Sequence, residues 1–126
     1  MDVESNLELA TGYLRRIADL DFAGALALAS DGAEFRGPDG AVLDLAAMRS
    51  VLDMVRPRFA GPLALAIGAT TCEGNRVCIE ATGAAPLTNG KTYSNRYHYA
   101  FEIVEGRIAS CREYCCTKSA AVIFED

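Results

Sequence analysis

The sequence predicts an α+β domain with helices on one face of an antiparallel sheet. Three observations carry that prediction. Apolar residues recur at helical spacing in three segments up to Arg56. From Pro62 onward the apolar residues alternate instead, as in strands. The longest strand pair, Lys91 to Tyr114, is rich in aromatic and β-branched residues and turns at Glu105-Gly106, where glycine supplies the positive φ of a tight hairpin.

The elements follow in order. Ser5-Asn6-Leu7-Glu8 fits a capping box. Leu7, Ala10, Leu14, Ile17 and Ala18 then mark an amphipathic helix over about residues 5–19. Tyr13 lies beside that stripe. Asp21 caps a second helix, Phe22 to Ser30, with Phe22, Ala25, Leu26 and Ala29 as its apolar face. A short strand, Ala33 to Arg36, leads into the Gly37-Pro38-Asp39-Gly40 turn and a second brief strand, Ala41 to Leu43. Asp44 caps a third helix, Leu45 to about Arg56, with Leu45, Met48, Leu52 and Val55 on one face, and Pro57 ends it. Strands follow at Leu63 to Thr71 and Arg76 to Thr82, with a loop at Gly83 to Gly90 before the long hairpin. The tail, Thr117 to Asp126, carries enough apolar residues to dock on the body.

Bulk properties narrow the function classes. The 126 residues fit one domain, 1–126, and about half are apolar. The net charge is −5 with no Lys/Arg cluster, which argues against nucleic acid and anionic membranes as partners. No apolar run approaches the roughly 20 residues of a membrane span. The N-terminus, MDVESNLELA, lacks the basic and apolar regions of a signal peptide, so a cytoplasmic location is expected. The odd count of five cysteines then points to reduced thiols packed as small hydrophobes. They have no C-x-x-C spacing and His98 is the lone imidazole, so no metal is expected.

The hairpin holds the best chemical lead. A two-residue turn places His98 opposite Glu113, a pair suited to proton transfer and equally to a plain cross-strand ion pair. A bulged three-residue turn slides the register and pairs His98 with Arg112 instead. Alternation puts Arg96, His98, Ala100 and Glu102 on one face with Cys111, Glu113 and Cys115. Tyr97, Tyr99, Phe101 and Ile103 occupy the other face, with Ile108 and Tyr114. That aromatic face needs covering. A second subunit against it, with the first face lining a cavity, predicts a homodimer through the outer sheet face. The opposite arrangement, with helices on the aromatic side and the charged face in water, fits the alternation as well.

The motif Asn95-Arg96-Tyr97-His98, then Glu105-Gly106-Arg107-Ile108, then Arg112-Glu113-Tyr114 with Thr117 beyond two more residues, resembles the SnoaL-like branch of the nuclear-transport-factor-2-like superfamily. That group includes polyketide cyclases and relatives of ketosteroid isomerase. The resemblance implies a curved sheet wrapped around three N-terminal helices into a cone, an internal apolar pocket for a small molecule, and a homodimer. It places Tyr13 at an oxyanion-binding position, His98 near a protonated aspartate of the isomerases, and Glu113 at an acid/base glutamate. It departs at Gly37, where the isomerase base would fall, and at Cys115-Cys116, where relatives often carry an aspartate.

The resulting expectation is an acid/base isomerase or cyclase acting on a carbonyl-bearing, polyketide- or steroid-like molecule without a cofactor. Glu113, His98 and Tyr13 are its catalytic candidates. Arg96, Cys111, Cys115, Phe35 and Met54 are its substrate-binding candidates. The alternative is a non-catalytic ligand-binding or accessory module of the same fold, since fold alone does not decide function.

Overall fold

The computed structural model describes residues 2–126. Helix α1 (Val3–Ala18) is followed by the short α2 (Phe22–Leu26), strands β1 (Ala29–Arg36) and β2 (Val42–Leu43), and α3 (Leu45–Val55). A 3-10 turn, Arg56–Arg58, precedes β3 (Ala64–Glu73), β4 (Arg76–Pro86), β5 (Thr92–Val104) and β6 (Arg107–Cys115). The chain finishes in α4 (Thr117–Ala120) and a 3-10 turn, Ala121–Phe124. The six strands form one curved, open sheet in the order β2-β1-β6-β5-β4-β3. The α+β class and the wrapped sheet agree with expectation.

Several local details differ, each for a physical reason. Asp2, not Ser5, caps α1: its Oδ1 accepts the Ser5 N–H at 2.7 Å. Asp21 and Asp44 cap their helices as expected, accepting from Gly24 N and Ala47 N. Helix α2 stops early because its expected second half is drawn into the sheet. Ile108 N donates to Leu28 O at 3.0 Å, and Ala29 opens β1 opposite Ile108. That β1–β6 pairing is parallel, so the sheet is mixed rather than purely antiparallel. Strand β4 runs on through Gly83, where a loop was expected. Leu63 fills the space a side chain would take, and a Cβ at Gly83 would lie 2.8 Å from its Cδ2.

The core lies between α1, α2 and the inner sheet face. Ala10, Tyr13 and Leu14 of α1 are buried there with Phe35 of β1, Val77 and Ile79 of β4 and Phe101 of β5. On β5 burial alternates strictly from Thr92 to Tyr99, and Tyr93, Asn95, Tyr97, Tyr99, Phe101 and Ile103 are all buried. The aromatic face of the hairpin is therefore the inner face. The expectation that Tyr97, Tyr99 and Phe101 form an outer face covered by a second subunit is overturned: the helices cover them. Of the aromatic residues assigned to that face, Tyr114 alone is outside, and it is exposed. The error came from treating both faces as equivalent, whereas large aromatic area goes where the helices can exclude water from it.

Candidate functional site

The site begins with a bulge in the long hairpin. Glu105 and Gly106 both have positive φ, 52° and 76°, as a two-residue primed turn requires. Val104 pairs with Arg107 and Ile103 with Ile108, as the two-residue turn predicts. The register then slips. Glu102 pairs with Ser110, Phe101 with Cys111, Tyr99 with Glu113 and His98 with Tyr114. One extra residue, Ala109, is accommodated on β6, and every later side chain on that strand moves to the opposite face.

This slip corrects the expected His98–Glu113 pair. Glu113 sits opposite Tyr99 on the inner face, and His98 sits on the outer face between Glu80 and Tyr114. The His98 ring meets that of Tyr114 edge-on at 6.5 Å. The other candidates divide the same way. Tyr13 and Phe35 meet inside, stacked at 6.3 Å, and Tyr13 meets Phe101 edge-on at 5.7 Å. Cys111 is buried and Cys115 half-buried on the inner face. Arg96 is exposed on the outer face. Met54 is exposed on α3, away from the stripe that carries the buried Leu52. Arg96, His98 and Met54 therefore share no enclosed volume with Glu113.

The inner group is one carboxyl among hydroxyls and thiols. Glu113 is half-exposed as a residue, yet protein crowds its carboxyl, so lost hydration raises its pKa above the usual value. A weak bond from Cys115 Sγ to Oε2, at 3.5 Å, opposes the rise without cancelling it. Tyr99 is pushed well up by burial and then by the charge of Glu113. Burial, then Cys111 and then Glu113 do the same to Tyr13. Burial followed by Glu113 raises Cys111, and raises Cys115 to about 12. The tyrosines and thiols, raised further above neutrality, keep their protons at neutral pH. They can donate hydrogen bonds around one carboxyl that can take or give a proton.

Sequence reasoning missed a polar network at one end of this group. Tyr93 and Tyr97 bring their hydroxyl oxygens to 2.5 Å. Buried Asn95 donates to Tyr93 Oη at 3.2 Å and to Cys116 O at 2.9 Å, and its Oδ1 accepts from Cys116 N at 3.1 Å. The signal is Tyr93, Asn95, Tyr97 and Tyr99 at alternate positions; the sequence expectation puts Tyr97 and Tyr99 on an outer face and assigns Tyr93 and Asn95 to neither.

Outside, the sheet surface carries a concavity of about 650 Å³ lined by Glu80, Thr82, Arg96, His98, Tyr114 and Cys116 among others. Among the described residues, no cluster of three or more metal-ligating side chains occurs. No helix among them is long and apolar enough to cross a membrane.

Comparison with known proteins places this geometry. A search of curated proteins finds no match by sequence. Solved structures match over nearly the whole chain. An NTF2-like protein of unknown function from Burkholderia pseudomallei shows a TM-score of 0.84 at 16% identity, covering 100% of both chains. A candidate polyketide cyclase from Xanthomonas campestris pv. campestris shows 0.80 at 19%, covering 98% of each. TerC, co-crystallised with polyporic acid, shows 0.77 at 19%, covering 97% of this chain and 99% of its own. At these identities the likeness is one of fold. The SnoaL-like domain family is matched directly by sequence over residues 10–111, and the chain belongs to that family.

Proposed function

We propose that the chain is an acid/base isomerase or cyclase for a small, largely apolar, carbonyl-bearing molecule. Glu113 moves the proton and Tyr13 donates a hydrogen bond to the developing oxyanion. The observation that carries this reading is a single crowded carboxyl of raised pKa on the inner face that also carries buried Tyr97 and Tyr99, with buried Tyr13 feeling its charge. A carboxyl tuned toward neutral pH suits removal of a proton α to a carbonyl and its return at a second carbon. Phenols held in a water-poor site favour charge on the substrate oxygen, because that charge is stabilised by dipoles already in place. The reaction needs no cofactor, since the carbonyl itself accepts the electron pair. Phe35, Cys111 and Cys115 lie on the same inner face, the first two buried and the third half-buried. The occurrence of the same fold in TerC crystallised with polyporic acid supports a small organic ligand.

The test is deuterium exchange α to the carbonyl of β-tetralone, followed by proton NMR. The wild-type protein is expected to accelerate exchange, and Glu113→Gln to remove the acceleration while keeping the fold. Equal rates with the two proteins would sink the enzyme reading and leave a binding module.

We further propose that two copies pair through the outer sheet face. The support is the exposed Tyr114 and Val104 on the hairpin and the broad concavity beside His98. Sedimentation equilibrium at micromolar concentration should give twice the 13.4 kDa chain mass. A monomer mass unaffected by Tyr114→Asp would refute the pairing.

A further inference from the structure

The two inner thiols of β6 are not equivalent. Cys111 is buried, whereas Cys115 is half-buried and so within reach of a small molecule. Cys115 Sγ donates to Glu113 Oε2 at 3.5 Å, which is contact for an atom as large as sulfur. A nucleophile touching a carboxylate base is the arrangement that activates it. Cys115 does not work as a free thiolate, because burial and then the charge of Glu113 push its pKa up to about 12. It attacks only as its proton leaves for Glu113. A second observation points to a ligand at the same place. Tyr13 and Tyr99 are 2% and 7% exposed, yet among the described residues neither hydroxyl has a hydrogen-bond partner. Both lie close enough to Glu113 and Cys111 to feel their charge. Buried hydroxyls are normally paired, so the chain leaves room there for an oxygen it does not supply.

Resting on the acid/base reading above, we propose that Cys115 is a nucleophile toward α,β-unsaturated carbonyl compounds, with Glu113 as its base. As Sγ bonds to the β-carbon of the substrate, the S–H bond breaks and its proton passes to Glu113 Oε2. The alkene pair moves in between the α-carbon and the carbonyl carbon. The carbonyl pair moves onto oxygen, giving an enolate whose charge Tyr13 stabilises. The bond between the α- and β-carbons is now single and turns. Reversal breaks the S–C bond, returns the proton to sulfur and releases the alkene with the other geometry, so no atom or electron is gained or lost. The further activity is cis–trans isomerisation of an enone.

The probe is cis-benzylideneacetone, and its conversion to the trans isomer is followed by proton NMR. All proteins are full-length and carry Cys116→Ser, which removes the exposed thiol and keeps a capping residue at α4. The Cys116→Ser parent is expected to accelerate the conversion. Adding Cys115→Ser keeps the shape and a donor to Glu113 but replaces sulfur by a much poorer nucleophile, and should abolish the acceleration. Adding Glu113→Gln should slow it by about 100-fold or more at pH 7. That rate should recover as pH rises, because the thiol then ionises without a base, a response that a purely structural glutamate would not give. Melting curves show that each variant is folded. No acceleration by the parent, an unchanged rate in Cys115→Ser, or an unchanged rate in Glu113→Gln overturns the proposal. If isomerisation depends on Cys115 while β-tetralone exchange is absent, the proton-abstraction reading falls and the thiol stands. If exchange is present and isomerisation absent, the reverse holds.

Discussion

Glu113 couples the chemistry of the site to the stability of the fold. Its carboxyl has a folded pKa above the usual 4.5, because burial penalises the charged form. The native state therefore holds its proton to higher pH than the unfolded chain does, and its contribution to stability falls as pH rises through that window. Above the raised pKa the fold carries a poorly hydrated charge. Glu113→Gln removes that charge, so the variant is expected to melt higher than the wild type at pH 7 and to lose this advantage toward acid. Melting temperatures of both proteins across pH check this; a constant difference would mean that Glu113 ionises as in water. Asn6 gives a second case. It is buried on α1, and its Oδ1 has no hydrogen-bond partner. Asn6→Leu keeps the shape and removes the orphaned acceptor. It is expected to be neutral or to stabilise by about 1 kcal/mol, measured by urea titration.

At the scale of elements, the hairpin is controlled by its turn and its bulge. The turn is the expected two-residue one, yet Glu105 is a non-glycine residue at φ 52°. The left-handed region costs such a residue roughly 1–2 kcal/mol, and asparagine tolerates it better. Glu105→Asn is therefore expected to stabilise the protein by up to about 1 kcal/mol. Chemical denaturation would show it, and a loss of stability would mean that the glutamate side chain is held at the turn. The slip at Ala109 decides more. It brings Cys111, Glu113 and Cys115 onto the face that carries Tyr97 and Tyr99, away from His98.

For the molecule as a whole, the sheet separates two environments. His98 and Arg96 belong to the outer surface, while Tyr13, Phe35 and the Glu113 group lie under the helices. His98→Ala is accordingly expected to leave β-tetralone exchange unchanged under conditions where Glu113→Gln abolishes it. A matching loss in both variants would show that the imidazole acts across the sheet. The tail docks on the body: Asn89 Nδ2 donates to Val122 O and Glu125 O, and Ile123 is buried in the core. Ile123→Ala should destabilise by roughly 2–5 kcal/mol through the cavity it leaves, read from the urea midpoint.

The kinds of element, their order and most helix starts were legible in the sequence because they rest on local chemistry. Asp21 and Asp44 each cap the helix that follows, and Glu105-Gly106 takes the two positive φ angles of a tight turn. The family motif was legible for the same reason, being contiguous in the chain. Which face of β5 goes inward was not, because alternation looks the same from both sides and only the docked helices distinguish them. Ser5 was overtaken by Asp2, three residues ahead of it, and the second half of α2 yielded to pairing with β6. The bulge at Ala109 was invisible too. It lets the aromatic side of β5 and Cys111 of β6 be buried together despite the two-residue turn, and that demand exists only once the two strands share a core.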